Sequence, residues 1–126
     1  MDARIVNARI LGAAAALLLS TSVLLAAPAG RLAPKDIETL FFNGKPFTAA
    51  TPANVKFKMV FAPDGTMTRE PFNKSGSKSE GTWKLSPDGF CSTWKGSKQN
   101  CYRVQENGPN KWAIIVSTQA VAYWSR

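Results

Sequence analysis

One short run of this sequence has the spacing of a serine nucleophile and its activating base. Ser75 and Lys78 match the Ser-x-x-Lys pattern in which a lysine activates a serine hydroxyl. That chemistry requires a rigid helix start and a buried lysine, whereas these residues lie in a polar stretch between Asn73 and Glu80. We therefore do not predict a serine nucleophile here.

The composition removes most other catalytic and metal-binding chemistry. The chain of 126 residues contains no histidine and two cysteines, so it lacks the commonest general base and metal ligand, and every Ser-His or Cys-His pair. Two cysteines alone do not complete a zinc site. Asp64 and Asp88 lie in Pro-Asp-Gly turns, which leaves no better pair of carboxylates for glycoside hydrolysis. We expect a protein that is not an enzyme and uses no cofactor or metal.

The first residues have the pattern of a secretory signal peptide. Arg4 and Arg9 precede an apolar run over residues 10–25, and small residues follow at Ala27 and Ala29. The apolar run is shorter than the roughly 20 residues that span a bilayer, so we expect cleavage after Ala29 and no remaining transmembrane anchor. The prediction is a signal peptide over residues 1–29, a single domain over residues 30–126, and a periplasmic or secreted location.

Export also decides the expected state of the two cysteines. Cys91 and Cys101 would enter an oxidising compartment, where a disulfide persists. A bridge across so short a loop stabilises a fold by roughly 2 to 3 kcal/mol in the chain-entropy model. If the two cysteines face each other across antiparallel strands, the pairing centres on Gly96 and predicts a three-residue turn over residues 95–97.

The elements that must position any site are one helix and a series of strands. Residues 34–43 place Ile37, Leu40 and Phe41 at helical spacing, which predicts a short helix that packs these three side chains onto another element. From Val55 to Phe61 the period changes to two, as in a strand with one buried face. Further alternating runs cover residues 47–50, 67–72, 81–85, 90–94, 101–106, 112–117 and 120–125.

Tight turns connect these strands. Pro-Asp-Gly occurs at residues 63–65 and 87–89, and each should form a hairpin whose glycine adopts the left-handed conformation. No gap is long enough for a crossover helix. The sequence therefore predicts an all-β fold, an antiparallel up-and-down meander of about seven or eight strands forming a barrel or strongly curled sheet, with a short N-terminal helix.

A meander places alternate connections at opposite ends of the sheet, and this predicts where the charges lie. One end should carry the loop lysines Lys74, Lys78, Lys95 and Lys98. The other should carry Asp64, Asp88 and Glu106 with Lys111. Trp94 adjoins the basic hairpin and is the aromatic residue we expect to contact a ligand, with the four lysines.

The formal charge of +8 and the pI near 9.9 favour an anionic partner. We expect a non-catalytic binding module for an envelope polysaccharide, a lipid head group or an acidic protein surface, and not for nucleic acid, because export argues against it. Two alternatives remain: an inhibitor that presents a Ser/Gly/Lys loop to a hydrolase, and a barrel that binds a small apolar ligand.

Short motifs support a family resemblance. The predicted helix ends in the stretch over residues 40–44, and the triplet Gly81-Thr82-Trp83 is followed by Cys91, Trp94 and the Cys101-Tyr102 pair. In these motifs the chain resembles small exported alphaproteobacterial proteins in a domain family of unknown function. The Gly-Thr-Trp triplet is also similar to lipocalin and avidin-like barrels, in which Gly-x-Trp closes one end. The resemblance implies a periplasmic β-protein and no catalytic residue.

Overall fold

The chain forms an antiparallel barrel of eight strands in which each strand pairs with its sequence neighbours and the first also pairs with the last. The computed structural model describes residues 30–73 and 78–126, so the predicted signal peptide lies outside the described residues. The predicted meander is confirmed, and the sheet closes. The elements are α1 (Pro34–Phe41), β1 (Phe47–Ala50), β2 (Lys56–Phe61), β3 (Thr66–Pro71), β4 (Ser79–Ser86), β5 (Gly89–Trp94), β6 (Asn100–Glu106), β7 (Lys111–Val116) and β8 (Gln119–Ser125).

Alternate residues of each strand point into the barrel, as the period of two requires. In β2, Met59 and Phe61 are buried whereas Lys56 and Lys58 are exposed. The interior of an eight-stranded barrel is just wide enough for side chains to fill. Here the core consists largely of aromatic rings and methionines: Phe41, Phe42, Phe47, Met59, Phe61, Met67, Phe90 and Trp124, with Leu32, Ile37, Ala49, Val104 and Ile114.

Helix α1 fills one end of this barrel. It begins at Pro34, whose fixed φ suits the first helical turn, and it buries Ile37 and Phe41 completely. Phe42, the next residue, enters the barrel and stacks on Phe61 with 4.8 Å between ring centroids. A helix of eight residues is unstable alone, so these buried rings hold it in place.

The helix is shorter than predicted, and the prediction that Leu40 packs onto another element is wrong. It ends at Phe41, and the Asn43 side chain donates to the carbonyl of Thr39 at 3.0 Å. Leu40 remains 36% exposed, whereas Phe42 is only 2% exposed. Because the chain leaves the helix after Phe41, Phe42 turns inward and takes the place that helical spacing assigns to Leu40.

The two Pro-Asp-Gly turns both form tight hairpins but use their glycines differently. Gly65 adopts the predicted left-handed conformation, with φ of +96°. Gly89 does not, because it is the first residue of β5 and pairs with Ser86. A side chain at Gly89 would place its Cβ 2.0 Å from the carbonyl oxygen of Tyr102, so this position needs glycine for the close approach of β6.

The predicted disulfide is present. Cys91 and Cys101 lie opposite each other on β5 and β6 and are bonded. The connection is longer than the predicted three-residue turn, because pairing with β6 ends at Ser92 and Asn100 and strand β6 starts only at Asn100. The last residue of β5, Trp94, pairs with Gly81 of β4 and not with a residue of β6.

The segment that precedes α1 pairs through its backbone with the C-terminal part of β6, which extends beyond the end of β5. The amide of Leu32 donates to the carbonyl of Val104 at 3.0 Å, and the amide of Glu106 donates to that of Gly30 at 2.8 Å. This pairing leads the chain directly to the barrel end that α1 fills. In the described part of the chain, no helix has the length and apolar character that a membrane span requires.

The packing of Phe42 predicts a large loss of stability on truncation. Phe42→Ala should lower the free energy of unfolding by about 3 to 5 kcal/mol, because it leaves a cavity among four other rings. Urea unfolding followed by tryptophan fluorescence measures the change. Phe72→Ala is the control, since Phe72 is 54% exposed; equal losses for the two variants would contradict this packing.

The disulfide predicts a smaller loss. Replacing Cys91 and Cys101 together by alanine should lower the free energy of unfolding by roughly 2 to 3 kcal/mol, because the open chain regains loop entropy when it unfolds. Reduction of the unmodified protein should produce a similar shift in the urea midpoint. A midpoint unaffected by either treatment would show that the bridge contributes nothing to the fold.

Candidate functional site

The barrel has two different ends. We call the end filled by α1 the closed end and the opposite one the open end. The β2–β3, β4–β5 and β6–β7 turns lie at the closed end, where the amide of Gly44 donates to the carbonyl of Phe61 at 2.8 Å. The β1–β2, β3–β4, β5–β6 and β7–β8 connections lie at the open end.

The topology places the predicted loop lysines at the open end. Lys78, Lys95 and Lys98 are exposed in the β3–β4 and β5–β6 connections, and we call these three the rim lysines. Lys74 belongs to the same β3–β4 connection but lies outside the described residues, as does Ser75. The rim also presents exposed apolar side chains, among them Val55, which is 52% exposed, and Phe72, which is 54% exposed.

The acidic side chains are concentrated at the other end. Asp36 and Glu38 on the helix, and Asp64, Asp88 and Glu106 at the hairpin turns, all belong to the closed half of the barrel. The acids of the open half are Glu70 and Glu80, and Glu70 is paired with Lys58, with 3.3 Å between Nζ and Oε1. Uncompensated positive charge therefore gathers at the open end.

A cavity of about 240 Å³ lies inside the barrel on this side. Its lining is mainly apolar and aromatic: Ala49, Ala50, Thr51, Phe57, Met59, Phe61, Arg69, Phe90, Ser92, Trp94, Tyr102, Ile114, Val121, Ala122 and Trp124. Phe57 is the second residue of β2 and Trp94 is the last of β5, both at the open end, so these rings form the mouth. Phe61, Phe90 and Trp124 lie deeper, on the side packed against Phe42.

Arg69 is the charged residue of this lining. It shares the inward face of β3 with buried Met67, and its guanidinium carbon lies 4.4 Å from the centroid of Trp94 and 5.4 Å from that of Phe57. Such cation–π contacts stabilise a partly desolvated guanidinium. No carboxylate of the described residues lies within 4.0 Å of it, because Glu70, its neighbour in sequence, faces outward toward Lys58.

Ser92 adds a buried hydroxyl to the same cavity. It is 6% exposed and lies between Phe90 and Trp94 on the inward face of β5. Within residues 30–73 and 78–126 its side chain has no hydrogen-bond partner. A buried hydroxyl without a partner costs free energy, so this group favours an occupant that forms a hydrogen bond with it.

The structure thus places Trp94 at the mouth of the cavity, where its predicted contact with a ligand stays a prediction, and adds two residues that the sequence did not single out. Arg69 and Ser92 both occupy inward positions by the alternation of their strands, together with Met67 and Phe90. That alternation was the available signal. Together a guanidinium, a hydroxyl and aromatic walls provide what a small anion with an apolar body requires.

Asp64 at the closed end is a turn residue and not a member of a site. Its carboxylate accepts hydrogen bonds from the amide and the hydroxyl of Thr66, at 2.9 and 2.7 Å. These bonds favour the charged form and lower the pKa of Asp64. Among the described residues, no three His, Cys, Asp or Glu side chains cluster as metal ligands would.

Comparison of the chain with protein-family models, with curated proteins and with solved structures found no match. The resemblance drawn from its short motifs therefore stays a prediction.

The Asp64 turn predicts a specific pH dependence. In an NMR titration of the carboxyl groups, Asp64 should titrate below the ordinary value of about 3.9, and Thr66→Val should raise its pKa because one donor is lost. Since the pKa is lower in the folded state, the turn stabilises the fold above the unfolded pKa, and this contribution disappears as the pH falls through the folded value. An Asp64 pKa at or above the ordinary value would contradict the turn geometry.

Proposed function

We propose that this protein is a non-catalytic binding module of the periplasm or of the secreted fraction, and that its open end binds an anionic partner of the cell envelope. The disulfide between Cys91 and Cys101 supports an oxidising compartment. The partner presents phosphate, sulfate or carboxylate groups, as an anionic polysaccharide, a lipid head group or an acidic protein surface does.

The observation that supports this proposal most is the separation of charge between the two ends. The rim lysines and Arg69 share the open end, whereas most carboxylates of the described residues lie on the closed half. A surface of one sign attracts an oppositely charged partner over about 10 Å at 0.1 M salt. It also orients the barrel so that the partner meets the open end first.

The rim lysines differ from Arg69 in what they contribute. Their ammonium groups are exposed, so each contact with an anion is weak and screened by salt. Several such contacts together produce an affinity that depends steeply on ionic strength. We therefore expect the rim to supply attraction and Arg69, inside the mouth, to supply a fixed contact.

The test compares two variants with the same change in net charge. Replacing Lys74, Lys78, Lys95 and Lys98 by glutamine should weaken binding to dextran sulfate, or to vesicles containing phosphatidylglycerol, by about tenfold at low ionic strength, and should flatten its salt dependence. Binding is measured by calorimetry and by co-sedimentation, at about 20 and 200 mM sodium chloride.

The matched control replaces the closed-end lysines Lys35, Lys45, Lys84 and Lys111 by glutamine, since all four are exposed. This variant should retain nearly full affinity, because net charge alone does not determine where the partner docks. Equal losses in the two variants would exclude a specific site at the open end. Unchanged binding by the first variant would exclude the rim as the binding surface. Preference for the polysaccharide or the vesicle identifies the source of the anionic groups.

A further inference from the structure

We propose that the cavity inside the open end binds a small amphipathic carboxylate, with the carboxylate on Arg69 and the apolar body directed toward Phe61 and Phe90. This deepens the proposed function, because it rests on the open end being the binding surface and names a ligand for its interior. Three features of the described residues favour such a ligand: the charge of Arg69, the hydroxyl of Ser92 and the volume of the cavity.

The charge favours a single anionic group. Arg69 is the charged side chain of the cavity lining, and no carboxylate of the described residues neutralises it. A guanidinium forms two parallel hydrogen bonds with a carboxylate, and this geometry strengthens and orients the contact. A dianionic phosphate monoester would require a second cation, and the described lining offers none. A monocarboxylate therefore fits best.

The position of Arg69 determines which way the ligand lies. Its guanidinium rests against Trp94 and Phe57, the two rings at the mouth, so the carboxylate stays near solvent. Deeper positions hold Phe61 and Phe90, which are each 1% exposed. An apolar body gains by leaving water for that region, whereas a charge placed there would be costly.

Ser92 supplies a second, independent indication of a ligand. Its hydroxyl is buried, faces the cavity and has no partner within the described residues. Ser92 lies two residues deeper than Trp94 on the same face of β5, roughly 7 Å along the strand. A ligand that extends inward from Arg69 passes this hydroxyl, which then donates or accepts one hydrogen bond along its length.

The volume sets the size of the ligand. A cavity of about 240 Å³ corresponds to roughly eight water-sized units of about 30 Å³ each. Because the carboxylate itself lies at the mouth, the apolar body has about six to eight carbon atoms. Heptanoate and octanoate match this size, and longer chains should protrude into solvent.

The test measures binding of defined probes to the intact, oxidised protein by isothermal titration calorimetry. Octanoate should bind, and acetate and 1-hexanol should bind at least about tenfold more weakly, since one lacks the apolar body and the other lacks the charge. Comparable binding of acetate or 1-hexanol, or tighter binding of octyl phosphate, would overturn the assignment of an amphipathic monocarboxylate.

Two substitutions assign the contacts. Arg69→Gln should weaken octanoate binding about tenfold and leave 1-hexanol unaffected, whereas Arg103→Gln is the matched control, because Arg103 donates to the carbonyl of Ser117 away from the cavity lining. Ser92→Ala should weaken octanoate about threefold, as expected for loss of one hydrogen bond. Equal octanoate affinity in Arg69→Gln and the unmodified protein would overturn the proposal.

A third variant tests whether both probes bind inside the cavity. Ala122→Phe adds a ring to the cavity lining without changing any charge, and it should abolish binding of both octanoate and 1-hexanol. Circular dichroism and urea unfolding establish that each variant is folded.

If octanoate does not bind while dextran sulfate binding still depends on the rim lysines, this inference fails and the proposed function stands. If octanoate binds through Arg69 while the rim variant has no effect, the rim proposal fails instead.

Discussion

The packing of Phe41 and Phe42 into one end of the barrel is the interaction on which the rest of the structure depends. Both rings contact Trp124, and Phe42 also contacts Phe61 and Phe90, so the helix and the inner faces of several strands share one core. With that end filled, the interior space lies toward the other end, below the rim. The same packing gives the barrel a polarity: hydrophobic burial accounts for the closed half, and charge and cavity characterise the open half.

Arg69 illustrates how the open half differs from an ordinary core. Partial burial of a cation is unfavourable unless nearby groups replace the lost hydration. Here the rings of Trp94 and Phe57 replace part of it, and the position at the mouth leaves the guanidinium partly in contact with water. A fully buried arginine would require a carboxylate, and an exposed one would recognise ligands no better than the rim lysines do. The intermediate position suits reversible recognition of an anion.

Much of this fold is predictable from the residues, because β2, β4 and β8 alternate between exposed and more buried side chains and two of the turns contain Pro-Asp-Gly. Closure is not, since the pairing of β1 with β8 joins the two ends of the sheet and no local pattern records it. The exchange of Leu40 for Phe42 at the packing face depends on where the helix ends, which tertiary contacts decide. The sequence did not single out Arg69, because charged residues usually face solvent. Its alternation with Met67 nevertheless places it on the inward face of β3. Gly89 likewise could not be interpreted from local sequence alone. The Pro-Asp-Gly motif predicts a left-handed glycine at this position, whereas the close approach of strand β6 is what requires glycine there.

The most direct test of this account is an NMR titration of the ¹⁵N-labelled protein with octanoate, because tryptophan indoles mark both ends of the barrel. Trp94 lies at the mouth, whereas the indole Nε1 of Trp83 donates to the carbonyl of Ala62 at 2.8 Å in the closed half. Binding at the open end predicts saturable shifts of the Arg69 side-chain Nε–H and the Trp94 indole N–H, with the Trp83 indole unmoved. Shifts confined to Trp83, or none at Arg69 at concentrations that saturate binding, would contradict it.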